Sequence, residues 1–416
     1  MQLPTRIPSP NLKLNLPRRG GADVVGLDIQ PGFVAAVKAR VNGSIVAEQA
    51  AALPLPADTV RDGEVMDQEA LGDVLRELFR QSGMSKRVRI GVANQRTVLR
   101  TLELPPVTDH KELAAAVAFQ AQEQVPMPLS NAVLDFHALG IIDTPAGPRQ
   151  RVVLVAAQRD MVERLLAAVR HAGLNAEGVD LSAFALIRSL YQREDPAQEQ
   201  AGRVLYLNVD GLTNLAIAEG SICRFTRVVG SGLEGMAIEL AERRSIALTE
   251  ARALLAAVDL TAPGVSEAVE SAEAESEPQL EEPLSADGQP ASPEEHDEEE
   301  RSMSYEEMAA AEAQAAPKGA DSDLMTVVEN GIREISGEVR NSLDFHRSQD
   351  GGGEVSHVVL SGSAEDIPGF AEALEASLGV PVQSAEIGVL DGRIAESVSP
   401  HRLAVATGLA AMEAPQ

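Results

Sequence analysis

Two strand–turn–strand motifs constrain the fold of this chain more than any other feature. The first spans residues 24–38, with a reversal at Pro31–Gly32, and the second spans residues 204–217, with a reversal at Gly211. Apolar and β-branched residues on both sides of a Gly-containing turn predict an antiparallel hairpin. Asp28, at a strand end, fits metal-bound phosphate and equally an ordinary hairpin with a solvated carboxylate. Because the motif recurs, we predict a duplicated architecture with a cleft between two halves.

The composition excludes several kinds of binding partner and functional site. The 416 residues suffice for two domains with full cores, and the formal net charge of −28 argues against a nucleic-acid partner. Cys223 is the single cysteine, so neither an intramolecular disulfide nor a thiolate metal cluster can form. No apolar run is long enough for a membrane span, and residues 1–21 lack the apolar core of a signal peptide. We therefore expect a cytoplasmic protein.

The first half of the chain is predicted to be a core with an inserted unit. Residues 23–94 follow the order β-β-β-α-β, with an amphipathic helix over 68–81. Residues 95–178 have the pattern of an α+β subdomain, whose first helix we expect Thr108 to cap. Residues 179–202 return to the first core through a strand and a helix.

The second half repeats the opening pattern and is interrupted by an acidic insertion. Residues 203–259 contain three strands and two helices, the second capped by Thr249. Residues 260–321 hold roughly half of the net charge and too little apolar content to order, so we predict a disordered insertion. Residues 322–412 then complete the second lobe with a long helix, a buried strand and further helices.

The N-terminal tail, residues 1–22, differs from the rest of this acidic chain. It is rich in proline and basic, and we predict that it is flexible. Its residues 12–17, Leu-Lys-Leu-Asn-Leu-Pro, alternate apolar and polar side chains, a pattern that suits addition as a short strand to a sheet edge.

The order of these elements resembles the duplicated actin-like (ribonuclease H-like) fold. That is an α/β fold of two lobes around a cleft, here with an inserted α+β subdomain in the first lobe. Local motifs are similar to those of the type IV pilus assembly protein PilM family, a relative of the cell-division protein FtsA. The resemblance covers about residues 23–258 and 322–412. The motifs are Arg-Thr-Leu-Glu-Leu-Pro at 100–105, Phe-Gln-Ala-Gln-Glu-Gln-Val-Pro-Met-Pro-Leu at 119–129, Val-Asp-Leu-Ser-Ala-Phe-Ala-Leu at 179–186, Leu-Ser-Gly at 360–362 and Ile-Pro-Gly-Phe at 367–370.

The resemblance implies a protein-binding role and a nucleotide cleft. Members of this family bind the short cytoplasmic tail of the inner-membrane protein PilN. They therefore lie in the cytoplasm on the inner face of the inner membrane, where they connect to other components of the pilus machine, and self-association is also open. For this chain we expect a scaffold of a type IV pilus or related secretion machine, with an extended PilN-like peptide docked near residues 95–178.

The cleft departs from the family pattern where ATP and Mg²⁺ would bind. Gln30 stands at a family glycine that lets backbone N–H groups approach phosphate, and Ala35 stands at a family lysine. Asn208 replaces an acidic residue, and Asp210 lies two positions further on. The loop at 362–364 is Gly-Ser-Ala in place of a glycine run. The residues assigned to this residual nucleotide cleft are Asp28, Gln30, Gly32, Asn208, Gly211, Thr213, Asn214, Gly362 and Ser363.

These departures predict that hydrolysis is lost and that ATP with Mg²⁺ binds weakly or not at all. No Ser-His-Asp, Cys-His or His-rich arrangement offers another chemistry, so no catalytic or metal-ligating residue is assigned. Two alternatives stay open. One is an active actin-like assembly ATPase. The other is an FtsA-like cell-division filament protein, although residues 410–416 offer no amphipathic membrane helix.

Overall fold

The structure is a computed structural model, which describes residues 24–42, 44–145, 147–191, 202–261, 318–349, 352–390 and 398–411. The predicted N-terminal tail, most of the segment at 192–202 and most of the acidic insertion lie outside these residues. None of the helices within the described ranges combines the length and the apolarity that crossing a membrane requires.

The first lobe is built on a six-stranded sheet that begins with the predicted hairpin. Its strands are β1 (Val25–Gln30), β2 (Phe33–Asn42), β3 (Ser44–Pro54), β6 (Arg87–Val92), β10 (Asn175–Leu181) and β16 (Gly388–Val389). They lie in the order β10-β6-β1-β2-β3-β16, with β1 and β2 antiparallel and β1 parallel to β6. The short hairpin of β4 (Val60–Arg61) and β5 (Glu64–Val65) precedes helix α1 (Gln68–Ser82), which Asp67 caps. Gly83 ends this helix in the left-handed conformation, as glycine does readily.

The inserted unit is a three-stranded antiparallel sheet with one helix. Its elements are β7 (Val98–Leu104), α2 (His110–Gln124), β8 (Ala132–Thr144) and β9 (Gly147–Gln158), and the strand order is β7-β9-β8. Val117 of α2 packs against Leu102 and Leu154 of the sheet in a separate core. The helix begins one residue later than predicted, because Asp109 rather than Thr108 accepts the free N–H groups of its first turn.

The inserted unit ends earlier than the sequence predicts. Helix α3 (Arg159–His171) belongs to the first lobe, where its Leu165 and Val169 share a core with Leu71 of α1. Strand β10 then pairs in parallel with β6. The boundary therefore lies near residue 158 and not near 178, because the apolar face of α3 is buried against α1.

The second lobe repeats the strand topology of the first. Its strands are β11 (Arg203–Val209), β12 (Thr213–Glu219), β13 (Ile222–Val229), β14 (Val355–Ser361) and β15 (Val382–Ser384), in the order β13-β12-β11-β14-β15. In both lobes an antiparallel three-stranded meander pairs through its first strand with a parallel strand. The predicted duplication is thereby confirmed.

Four helices cover the outer face of the second sheet. They are α5 (Leu233–Arg244), α6 (Leu248–Ala256), α7 (Lys318–Ser348) and α8 (Phe370–Leu378). Ala247 precedes the first turn of α6, so Thr249 lies inside the helix and is not its cap as predicted. Apolar side chains at three- and four-residue spacing along α7, such as Val328, Ile335 and Val339, are buried in this core.

Two helices join the lobes. The position of the second one shows that the predicted boundary of the second lobe is wrong. Helix α4 (Ser182–Leu190) and helix α9 (Ala404–Ala410) pack together in a third core between the two sheets. β16 pairs with β3 of the first lobe, so the chain leaves the second lobe before residue 388. Residues 388–411 were predicted to belong wholly to the second lobe. They return to the first because the small side chains of α9 allow the helix to lie directly on β1, where a Cβ on Gly26 would lie 1.8 Å from the Ala406 carbonyl oxygen.

Candidate functional site at the junction of the lobes

Three loops meet at the junction of the two sheets, as the duplicated hairpins predict. The turn after β1 touches the turn after β11: a Cβ on Gly211 would lie 2.2 Å from the carbonyl oxygen of Pro31. Gly32 and Gly362 have φ angles of +92° and +98°, a region that glycine adopts without strain. These three glycines allow the loops to approach one another at backbone distance.

Asp28 is fully enclosed beneath the first turn. Its carboxylate accepts two hydrogen bonds from Gln30, with Nε2 lying 3.1 Å from Oδ1 and 3.3 Å from Oδ2. Burial, with a smaller contribution from the charge of Asp210, raises the pKa of Asp28 to about 7. Gln30 stands where the resemblance implies a glycine. Its side chain therefore already hydrogen-bonds the carboxylate that the first loop presents.

Asp210 is the centre of a second buried network. Its Oδ1 accepts the backbone N–H of Ser363 at 2.7 Å and also the hydroxyl of that serine. Its Oδ2 accepts Nδ2 of Asn208 at 2.9 Å, and the Ser361 hydroxyl donates to Oδ1 of Asn208 at 3.0 Å. Asn208 thus positions the acidic residue two places further on, and the second and third loops are tied together through it.

Arg402 completes this network, although no sequence pattern indicated it. Its Nε donates to the Ser363 hydroxyl at 2.7 Å, and its guanidinium lies 4.5 Å from the centroid of the Phe33 ring. The residue comes from a short 3-10 turn before α9, far along the chain from Phe33. A positive side chain of the protein itself is therefore linked to the carboxylate of Asp210 through the Ser363 hydroxyl.

Thr213 and Asn214 do not join the other predicted site residues. The Thr213 hydroxyl donates to the backbone oxygen of Ser231 at 2.7 Å. Asn214 is 2 % exposed, and neither its amide nitrogen nor its amide oxygen has a hydrogen-bond partner among the described residues. Its side chain lines a small recess beside Thr97, away from Asp28 and Ser363. The other seven predicted residues are brought together.

A partly buried ion pair supports the first turn from the second lobe. Arg252 of α6 donates Nε to Oε2 of Glu234 in α5 at 2.9 Å, and its Nη1 donates to the Leu55 carbonyl oxygen of the first lobe at 3.2 Å. The Glu234 carboxylate lies against Gly32, where a Cβ would approach within 2.7 Å. The two lobes are therefore connected on both sides of the loops.

This arrangement does not fit a magnesium–triphosphate group. Asp28 is held by Gln30 at a raised pKa, and both oxygens of Asp210 already accept hydrogen bonds. The two hairpin turns are also in close contact, at Gly211 and Pro31. Within the described ranges, no three His, Cys, Asp or Glu side chains gather in a metal-binding arrangement. The three loops are tied together by their own side chains.

Comparison with known proteins supports the sequence resemblance. The family model described as type IV pilus assembly protein PilM matches residues 26–254. A solved PilM-PilN type IV pilus biogenesis complex contains a chain with 22% identity and a TM-score of 0.66, and the match covers 94% of this chain and 98% of that one. The predicted two-lobed, actin-like fold is thereby confirmed.

Two further solved structures match over most of their length. The ethanolamine utilization protein EutJ from Carboxydothermus hydrogenoformans has 15% identity and a TM-score of 0.47, with 95% of this chain and 90% of that one covered. MreB5 of Spiroplasma citri bound to ADP has 12% identity and a TM-score of 0.44, with 92% and 94% covered.

Proposed function

This chain belongs to the type IV pilus assembly protein PilM family, and we propose that it is a scaffold which binds the cytoplasmic tail of a PilN-like inner-membrane protein. The family match carries this proposal, and the solved PilM-PilN complex that shares its fold supports it. Through that partner the protein would lie on the cytoplasmic face of the inner membrane and contact other components of the pilus machine.

We place the docking surface on the inserted unit, residues 98–158. Among the described residues, the two most exposed large hydrophobic side chains both lie there: Phe119 on α2 is 68% exposed and Ile141 on β8 is 65% exposed. Phe119 lies on the side of α2 opposite Val117, which packs against the sheet. Apolar groups of a partner that cover these two side chains would remove their surface from water, which favours binding.

We further propose that the protein acts without ATP hydrolysis. The support for this is the set of hydrogen bonds that Gln30 and Ser363 make to the carboxylates of the loops, together with the bond from Arg402 to the Ser363 hydroxyl. A scaffold with this cleft holds its two lobes together by its own side chains, so partner binding would not depend on nucleotide.

A titration with the labelled cytoplasmic tail of the PilN-like protein tests the proposal. Fluorescence anisotropy should show saturable binding, and Phe119→Ser should weaken it at least about tenfold, the loss expected for one buried aromatic contact. Phe345→Ser is the matched control, because Phe345 is 54% exposed but lies on α7 of the second lobe. A tail that shows no saturable binding to the unaltered protein would overturn the proposal.

A further inference from the structure

A second cleft lies between the lobes, on the side of β13, and none of the three loops contributes to it. It encloses about 690 Å³. Its lining consists of Asp62, Gln95 and Thr97 from the first lobe, residues 226–231 along β13 and beyond its end, and Glu334 and Glu338 of α7. The proposed function uses none of these residues.

The backbone of β13 forms one wall of this cleft. β13 is the edge strand of the second-lobe sheet and pairs only with β12 in the described part of the chain. On such a strand every second residue directs its N–H and C=O groups outward, where an extended segment can pair with them. The cleft therefore suits a polypeptide in a β conformation.

The negative charge of the cleft favours a peptide segment with basic side chains. Glu338 is paired with Arg227 at 2.6 Å, whereas neither Asp62 nor Glu334 has an ion pair within the described ranges. The carboxylates of Glu334 and of Asp62, whose charge also acts on the neighbouring Arg61, thus face the same opening between the lobes. A lysine or arginine side chain carried into the cleft would be attracted by both.

Buried polar atoms at the cleft lack hydrogen-bond partners. The Thr97 and Ser231 hydroxyl oxygens are buried and unpartnered in the described structure, and so are both amide atoms of Asn214. Asn214 lies in the recess that continues the cleft past Thr97 and Thr226. Because an apolar occupant would leave these donors and acceptors unsatisfied, the cleft suits a ligand that offers both, as a peptide backbone does.

We propose that residues 12–17 of this chain occupy the cleft as an added strand along β13. These residues are Leu-Lys-Leu-Asn-Leu-Pro, with Lys13 as their basic side chain, and residues 1–22 carry four basic and no acidic side chains. The other long segment outside the described ranges, residues 262–317, is strongly acidic and would be repelled by the same carboxylates. The inference does not depend on the proposed pilus function.

The length of the N-terminal segment permits this docking. The described chain begins at residue 24, and Val25 pairs with Val88 on the neighbouring β6. From Val88 the strand continues toward Gln95, and seven residues span roughly 23 Å at the rise of a β-strand. The seven steps from Pro17 to residue 24 reach up to roughly 25 Å when extended, and the eleven steps from Lys13 reach up to roughly 40 Å. Residues 12–17 can therefore reach the cleft of their own chain.

Limited trypsin digestion of the full chain tests the docking. Cleavage after Lys13 should be at least about tenfold slower than cleavage after Arg6, which lies outside the docked residues and serves as an internal reference. Glu334→Lys should bring the rates together, whereas Glu242→Lys, the same change at an exposed residue of α5 outside the cleft, should leave the protection intact. Equal rates at both sites in the unaltered chain, or protection that survives Glu334→Lys, would overturn the proposal.

Disulfide trapping distinguishes a segment of the same chain from one of a second copy. Asn15→Cys with Gln95→Cys should form a cross-link within one chain, with a yield independent of protein concentration. Cys223 does not compete, because its thiol is buried and desolvation raises its pKa to about 12. Asn15→Cys with Gln81→Cys, at the exposed end of α1, is the control pair and should not cross-link. Cross-links that form only between chains, or equally in both pairs, would contradict the proposal.

Discussion

The guanidinium of Arg402 lies 4.5 Å from the centroid of the Phe33 ring while its Nε donates to the Ser363 hydroxyl. Phe33 opens β2 of the first lobe, and Ser363 follows β14 of the second. One side chain from the C-terminal return of the chain thus connects both sheets at the three loops. Ser363 in turn donates to Asp210, so the hydrogen-bond chain continues from Arg402 to a buried carboxylate.

We expect Arg402→Ala to destabilise the fold by about 1 to 3 kcal/mol, from loss of the cation–π contact and of the hydrogen bond to Ser363. Arg402→Lys should recover only part of this, because an ammonium lacks the planar fork of a guanidinium. Urea unfolding measures both. Arg333→Ala, at an exposed arginine of α7 bonded to Asn330, is the control and should change the free energy of unfolding by less than about 0.5 kcal/mol.

For the nucleotide cleft we expect no magnesium-dependent ATP binding in the micromolar range by calorimetry. The physical reason is that the loop carboxylates already accept hydrogen bonds from Gln30, Asn208 and Ser363. The double variant Gln30→Gly, Asn208→Asp removes two of these hydrogen-bonding groups, and it should bind ATP more tightly than the unaltered chain. Micromolar binding by the unaltered chain would instead support the alternative of a working assembly ATPase.

Much of the fold was predictable from residue patterns. The hairpins at 24–38 and 204–217 have β-branched strands on both sides of a Gly turn, so local preference and tertiary structure agree there. The return of residues 388–411 to the first lobe was not predictable. Periodicity identifies α9 as a helix but does not say which sheet it covers, and its place is fixed by close backbone contacts such as Gly26 with Ala406.

Local residue patterns also predicted part of the candidate site. Asp28, Asn208 and Gly362 lie at strand ends or turns, where local pattern points to a loop site. Arg402 is found only once the fold brings it to Phe33, since nothing in the sequence near either residue indicates the other. Likewise, whether Asp210 replaces Asn208 as the acidic group depends on strand register, which the sequence alone left open.

A matched pair of glycine substitutions tests the contact between the two hairpin turns. Gly211→Ala should destabilise the protein by at least about 2 kcal/mol, because its Cβ would lie 2.2 Å from a backbone oxygen that cannot move without shifting the first turn. Gly235→Ala, inside α5 with open space around its Cβ, should stabilise by about 0.5 to 1 kcal/mol. Thermal or urea unfolding compares them. Equal effects of the two would mean that the turns are not in contact in solution.

The raised pKa of Asp28 predicts how stability changes with pH. Its folded pKa of about 7 exceeds the ordinary value of 3.8, so the folded state keeps a proton that the unfolded state releases between these values. The stabilising contribution of the protonated group is therefore full below about pH 4 and is lost as the pH rises through 7. The free energy of unfolding falls by at most about 1.4 kcal/mol per pH unit over this range.

Asp28→Asn carries no titrating proton and still offers an oxygen to Gln30. Relative to the unaltered chain, the variant's free energy of unfolding should rise by about 2 to 3 kcal/mol between pH 5 and pH 8, measured by urea titration at each pH. A difference that stays constant over this range would show that Asp28 is ionised throughout, and that the Asp28–Gln30 contact is made by a carboxylate.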